Sequence, residues 1–166
     1  MTIKEYLDNH SLSESFVLQR GWELKDDIIT IPIFNTDGKF IYNKYRHLTG
    51  DTKFTFDVGN HPALYCAEHI SKLNEVVIAE GEIDCIRLWQ EGIPAVTGTA
   101  GVNTFTAEMA KPLKGKTVYI TLDTDQAGKN GIEKYLRKCL MMKNQRKRVK
   151  RVKKKLSSKT IQMDSL

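Results

Sequence analysis

The chain has 166 residues, 40% of them hydrophobic, enough for one domain with a real core, and no apolar run approaches the roughly 20 residues of a membrane span. Its three cysteines, Cys66, Cys85 and Cys139, lack CxxC spacing, which argues against a zinc ribbon or a disulfide framework and suits a reducing compartment. The formal net charge of +6 hides a division: residues 1–133 hold 13 Lys/Arg against 19 Asp/Glu, a net of −6, and residues 134–166 hold 13 against Asp164 alone, a net of +12.

The N-terminus, MTIKEYLDNH, carries acids and no apolar signal core, so a cytoplasmic protein is expected. Met1 to Arg20 reads as one or two short helices, with Ser13 as an N-cap. Asp26 and Asp27 break that pattern. IITIPIF (Ile28–Phe34) is β-rich, NTDG (Asn35–Gly38) is a turn signal, and KFIYNKYRHL (Lys39–Leu48) returns as the partner strand of a hairpin. Thr49–Pro62 reads as loop and Ala63–Lys72 as a short helix.

The rhythm then changes. Glu75–Ala79 reads as a buried strand, Ile83–Glu91 as a helix ended by Gly92, and Pro94–Thr97 as a strand before the GTAG segment. Thr104–Lys114 reads as a helix, Thr117–Leu122 as a strand and Ala127–Met142 as a long helix. This alternation predicts an α/β domain with a parallel sheet over residues 75–142, preceded by a small α+β subdomain over 1–74 and followed by a basic tail over 143–166.

Two of the predicted strands end in carboxylates: VVIA runs into Glu80, and VYITL runs into Asp123-x-Asp125. Ligands of open α/β sheets bind beyond the carboxyl ends of the strands. Asp123 and Asp125 share one face of an extended backbone. Gly81 is expected to let the chain turn sharply after Glu80, and Asp84, four residues on, to point back from the first helical turn. Gathered carboxylates raise one another's pKa, and a cation offsets that cost. All-oxygen donors suit Mg²⁺ or Mn²⁺, which polarises a phosphoryl group and orients in-line attack. Acids at helix N-termini also offset the macrodipole without any further role. Both groups standing at strand ends of one parallel unit favours a site. Glu82 reads as the weakest member, able to face solvent.

At these residues, over roughly Glu75 to Arg137, the sequence resembles the Toprim family. EGEID followed by LDTDQAG is similar to the primase subtype: bacterial DnaG primases and the primase half of bacteriophage primase-helicases. GTAG (Gly98–Gly101) resembles the glycine-containing loop after the second strand in primases. Upstream, QRGWELKDDIITIPIFNTDGKFIYNKYRHL resembles the subdomain that precedes Toprim. The resemblance implies a nucleotidyltransferase that makes short RNA primers on single-stranded DNA from ribonucleoside triphosphates. It implies Glu80, Asp123 and Asp125 as metal ligands, Glu80 near the 3′-hydroxyl, and Asp84 in support. Lys44 and Arg46 match basic positions that in the family line the nucleotide and template groove; spacing alone equally allows two exposed strand charges.

The chain departs from a full primase of that family. No zinc-binding module precedes the hairpin and no Walker A motif is present, so a separate zinc-binding module and a replicative helicase are expected as partners, in a phage or plasmid setting. A strand is expected after the long helix, where the chain instead reads KNQRKRVKRVKKKLSSKTIQMDSL. That tail admits a solvated charge run, a phosphate-binding segment, or a frame-shifted or truncated end. In the last case RVKRV is an ordinary strand opening. Two rival functions stay open at this point: a Mg²⁺-dependent Toprim nuclease, and a non-catalytic nucleic-acid-binding remnant of a primase.

Overall fold

The computed structural model describes residues 1–101 and 104–121, together with the backbone of 149–151. Helix α1 (Ile3–Asn9) begins at Thr2, whose hydroxyl accepts from the Glu5 amide while its own amide donates to the Glu5 carboxylate at 2.7 Å. Two otherwise unsatisfied donors are met reciprocally. Helix α2 (Glu14–Gln19) is capped by the Ser13 hydroxyl, as its position predicts.

Strands β1 (Glu23–Lys25), β2 (Ile28–Phe34), β3 (Phe40–His47) and β4 (Phe54–Phe56) form an antiparallel sheet in that order. The predicted hairpin is its centre. Asn35 Oδ1 accepts from the amides of Asp37 and Lys39, both at 2.9 Å, and Gly38 takes φ +77°, which closes the turn. Along β2, Ile29, Ile31 and Ile33 are wholly buried. Their cross-strand partners on β3 are Arg46, Lys44 and Tyr42, so these three share the inner face. Strands β1 and β4 fall where the sequence reads a break and a loop. Each is three residues long and owes its conformation to pairing with a longer neighbour.

The second sheet has the order β5-β7-β6-β8-β9, from β5 (Leu64–Tyr65), β6 (Glu75–Ile78), β7 (Ala95–Gly98), β8 (Thr117–Ile120) and β9 (Val149–Arg151). Strands β6 to β9 run parallel, and β5 pairs antiparallel with β7 at the edge. Helices α3 (Glu82–Gln90) and α4 (Ala107–Ala110) lie in the crossovers. On β6 and just beyond it, Val77 and Ala79 enter one core with α1, α2, α3 and the first sheet, and Val76 and Ile78 enter a second with Phe105, Met109 and Leu113. A strand covered on both faces reads as a continuous apolar run, which is why VVIA was legible.

Three expectations change. Ala63–Lys72 is no helix: Leu64 and Tyr65 pair with Gly98 and Thr97, Cys66 takes φ +61°, and a single 3₁₀ turn follows at Ala67–His69. Burial of both Leu64 and Tyr65 against the sheet outweighs local helical preference. The helix expected over Thr104–Lys114 shrinks to α4 plus a 3₁₀ turn at Lys111–Leu113, because Pro112 cannot extend an α-helix. Finally, within the stretch expected as a basic tail, Val149–Arg151 is a strand in register with Val118–Ile120, which is the strand opening that RVKRV offered as one of its readings. The long helix expected over 127–142 lies outside the described residues. Among the described residues no helix is long and apolar enough to cross a membrane.

Trp22, just before β1, donates its indole N–H to the Tyr65 hydroxyl at 2.8 Å in the core between the sheets. Tyr65→Phe strands that donor and is expected to cost about 1–3 kcal/mol in urea unfolding. The double variant with Trp22→Phe is expected to lose less than the two single costs added together.

Candidate active site

The chain leaves β6 toward β7 on one side of the sheet, and β8, on β6's other side, is continued outward by β9. The boundary between β6 and β8 is therefore a topological switch point, where a crevice opens beyond the carboxyl ends of both strands. Ile78 and Ile120 are in register there, and the Thr121 amide donates to the Ile78 carbonyl at 3.0 Å. Glu80 is the second residue past β6, half-buried, in the bend that leads into α3. Asp84 is half-buried in the first turn of α3. Both therefore follow β6 on the side of the sheet where such a crevice is expected. Asp123 and Asp125 follow Ile120 by three and five positions in sequence and lie outside the described residues.

Gly81 is the N-cap of α3, with φ −144° and ψ 175°, a conformation open to any residue. A Cβ added there meets nothing within 4 Å. The chain does bend at Glu80 and Gly81, as expected, but it does so with Gly81 in extended backbone. Neither the backbone nor the surrounding protein requires a glycine, and the space beside the Glu80 corner is open. The GTAG segment does use its glycine: Gly101 takes φ +80° and its amide returns to the Gly98 carbonyl at 3.2 Å.

Glu82 does not face solvent. It is 5% exposed and paired with Lys44, itself 6% exposed, at 2.8 Å. The Lys44 ammonium also donates to the Thr99 carbonyl at 2.7 Å, and the Phe54 and Phe56 ring centroids lie 4.5 and 5.3 Å from it. Burial pushes the Glu82 carboxyl up, opposed by the charge and hydrogen bond of Lys44. Lys44 is therefore engaged inside the protein. Arg46, one turn of the pleat along the same face, is differently placed. Its guanidinium lies 4.7 Å from the Phe54 ring centroid and 5.3 Å from that of Tyr6. Its Nε is buried without a hydrogen-bond partner. Burial raises the Tyr6 phenol, and the charge of Arg46 acts to lower it.

The structure puts Glu80 just past β6 and Asp84 in the first turn of α3, as their spacing predicts; the Lys44–Glu82–Thr99 node escapes the sequence reading. Its signal was present: Tyr42, Lys44 and Arg46 alternate on a strand paired with IITIPIF, whose isoleucines must face inward. Among the described residues no group of three His, Cys, Asp or Glu side chains gathers as a metal site. The carboxylate oxygens of Glu80 and Asp84 are hard donors of the kind Mg²⁺ and Mn²⁺ take, and the open space at Gly81 leaves room for such an ion with its waters and phosphates.

The family model described as Toprim-like matches residues 77–162. Comparison with the curated proteins gives no match. Among solved structures, the E. coli primase catalytic core superposes with a TM-score of 0.71 at 19% identity, covering 93% of this chain and 66% of that one. The primase fragment of the bacteriophage T7 primase-helicase protein gives a TM-score of 0.70 at 19% identity, covering 88% of this chain and 62% of that one. A DNA primase domain from Pseudomonas aeruginosa gives 0.63 at 24% identity, covering 78% and 44%. The chain thus spans 66% or less of these structures, and what it shares with them is the fold.

Because Gly81 needs neither its φ nor its missing side chain for folding, Gly81→Ser is expected to raise the unfolding free energy by about 0.5–1 kcal/mol, through a better cap and a stiffer unfolded chain. Urea denaturation checks this. Lys44→Met, which leaves Glu82 buried and unpaired, is expected to cost about 3–5 kcal/mol in the same assay.

Proposed function

The chain belongs to the Toprim-like family, and on that premise we propose that it is a DnaG-type primase core, which joins ribonucleotides into short primers on single-stranded DNA. The observation that carries this reading is the switch point. Glu80 follows the central strand, and Asp123 and Asp125 follow its neighbour in sequence, so one crevice would receive both groups. The similarity of the whole fold, both sheets included, to primase cores supports the same reading.

In this mechanism Glu80, Asp123 and Asp125 would hold Mg²⁺ or Mn²⁺, which when bound would neutralise charge on the triphosphate and polarise the phosphorus under attack. Glu80, as ligand or general base, would orient the primer 3′-hydroxyl and take its proton as the oxygen attacks the α-phosphorus and pyrophosphate leaves. Asp84 would support the metal's surroundings. The open space at Gly81 would admit the phosphates. Arg46, beside Phe54 and Tyr6, would offer its guanidinium to the template or triphosphate. Phosphoryl transfer asks for little beyond such positioning and charge neutralisation.

The basic residues beyond 143 would add phosphate contacts whose strength falls as salt rises. A replicative helicase and a separate zinc-binding module are the proposed partners, in a phage or plasmid replication setting.

Incubation with single-stranded DNA, labelled ribonucleotides and Mn²⁺ or Mg²⁺ is expected to yield short RNAs. Glu80→Gln is expected to reduce the yield by about 100-fold or more. Metal-dependent cutting of supercoiled DNA without primers would point to the nuclease. Salt-sensitive DNA binding that is indifferent to Glu80, with neither activity, would point to a non-catalytic binder.

A further inference from the structure

Lys44 belongs to the first sheet, while both its oxygen partners belong to segments that follow strands of the second. Glu82 opens α3, two residues after Glu80. Thr99 is the first residue beyond β7. Thr99 is itself fixed from three more directions. Its hydroxyl shares a hydrogen bond with the Tyr42 hydroxyl at 2.7 Å and accepts from the Ala63 amide at 3.0 Å. Its amide donates to the Ala63 carbonyl at 3.0 Å. Tyr42 and Lys44 stand two apart on β3, so one strand grips the Thr99 loop at both of its polar handles.

An ammonium has three donors. Two here go to oxygens, and the rings of Phe54 and Phe56 flank the same ammonium. With 6% of the residue exposed and aromatic rings beside it, the ammonium presents little to a phosphate in the crevice. Nor does stability require the pair, since a buried ion pair is often matched or bettered by apolar residues of similar size, and its best-attested use is to specify one arrangement.

From this geometry we propose that Lys44 is a positioning residue and not a ligand of template or nucleotide. Its ion pair with Glu82 and its bond to Thr99 clasp the two loops beyond β6 and β7 to the first sheet, setting where Glu80 stands relative to Arg46 and Phe54. The part of this that concerns catalysis rests on the primase reading; the clasp itself does not.

The test compares the wild type with Lys44→Met/Glu82→Met, which removes both charges and avoids an unpaired one, and with Lys44→Arg. The first readout is amide hydrogen exchange. In the double variant the amides of residues 82–85 and 99–101 are expected to exchange at least about 10-fold faster, with those of β2 and β6 unchanged. Unchanged exchange at both loops overturns the clasp, whatever the protein's activity. The second readout is primer synthesis. The double variant is expected to lose about 10- to 100-fold in kcat with little change in KM for ribonucleotides, because misplacing a reacting group costs turnover and not binding. Lys44→Arg is expected to recover part of the loss. A raised KM at constant kcat overturns the proposal in favour of a ligand-binding lysine. A wild type that makes no primers, yet shows the exchange change in the double variant, sinks the primase reading and leaves the clasp standing.

Discussion

Parallel pairing of β6 between β7 and β8 is the constraint on which the molecule turns. Parallel neighbours cannot be joined by a tight turn, so each connection has to cross over the sheet, and the helices that do so cover its faces. Those faces become the two cores. The direction in which each crossover departs opens the crevice between β6 and β8. Everything chemically interesting about the chain follows from what sits at the end of β6: an acid, an open-sided glycine and a helix whose first residue is a buried carboxylate.

The first sheet reads as the second sheet's wall. Its inner face carries an alternation of isoleucines on β2 against Tyr42, Lys44 and Arg46 on β3. The apolar half fills the shared core with Trp22, Tyr65, Val77 and Cys85. The polar half reaches across to the crevice end. A single face thus does two jobs, packing near β2 and electrostatics near β4, and the boundary between them falls between the two central strands. Lys44 and Arg46, two residues apart, both lie against the Phe54 ring, and they diverge because Lys44 also finds a carboxylate within reach.

Much of this was legible in the sequence where local chemistry and tertiary context agree. VVIA is an apolar run that a doubly covered strand explains, TVYI is an apolar strand, NTDG closes a hairpin, and Ser13 caps a helix. What escaped is what distant partners decide. β4 and β5 are too short to show a period, and β9 lies in a lysine-rich stretch where RVKRV offered a strand only as one of three readings. Glu82 looked expendable beside Glu80 because nothing in EGEID announces a lysine 38 positions earlier. At the site itself, the places of Glu80 just past β6 and of Asp84 in the first turn of α3 were visible by spacing. The reason for Gly81 was not, since a glycine kept for open space and one kept for its φ look alike in a string of letters.

The two sheets differ in how long a growing chain must wait for them. The first needs pairs such as Ile28 with His47, and every strand it contains has been synthesised by Phe56. In the second, Val76 finds its partner in Val118, 42 positions on, and Val118 finds its own in Val149. At about 5–20 residues per second, β6 stands complete for roughly 2–8 seconds before β8 exists. During synthesis, one flank of a strand whose last three residues are apolar is therefore bare next to a finished antiparallel sheet. Until the crossovers close over it, this nascent chain has a natural claim on a chaperone, and its yield in cells should track the speed of translation through residues 79–120 more than the stability of the finished fold.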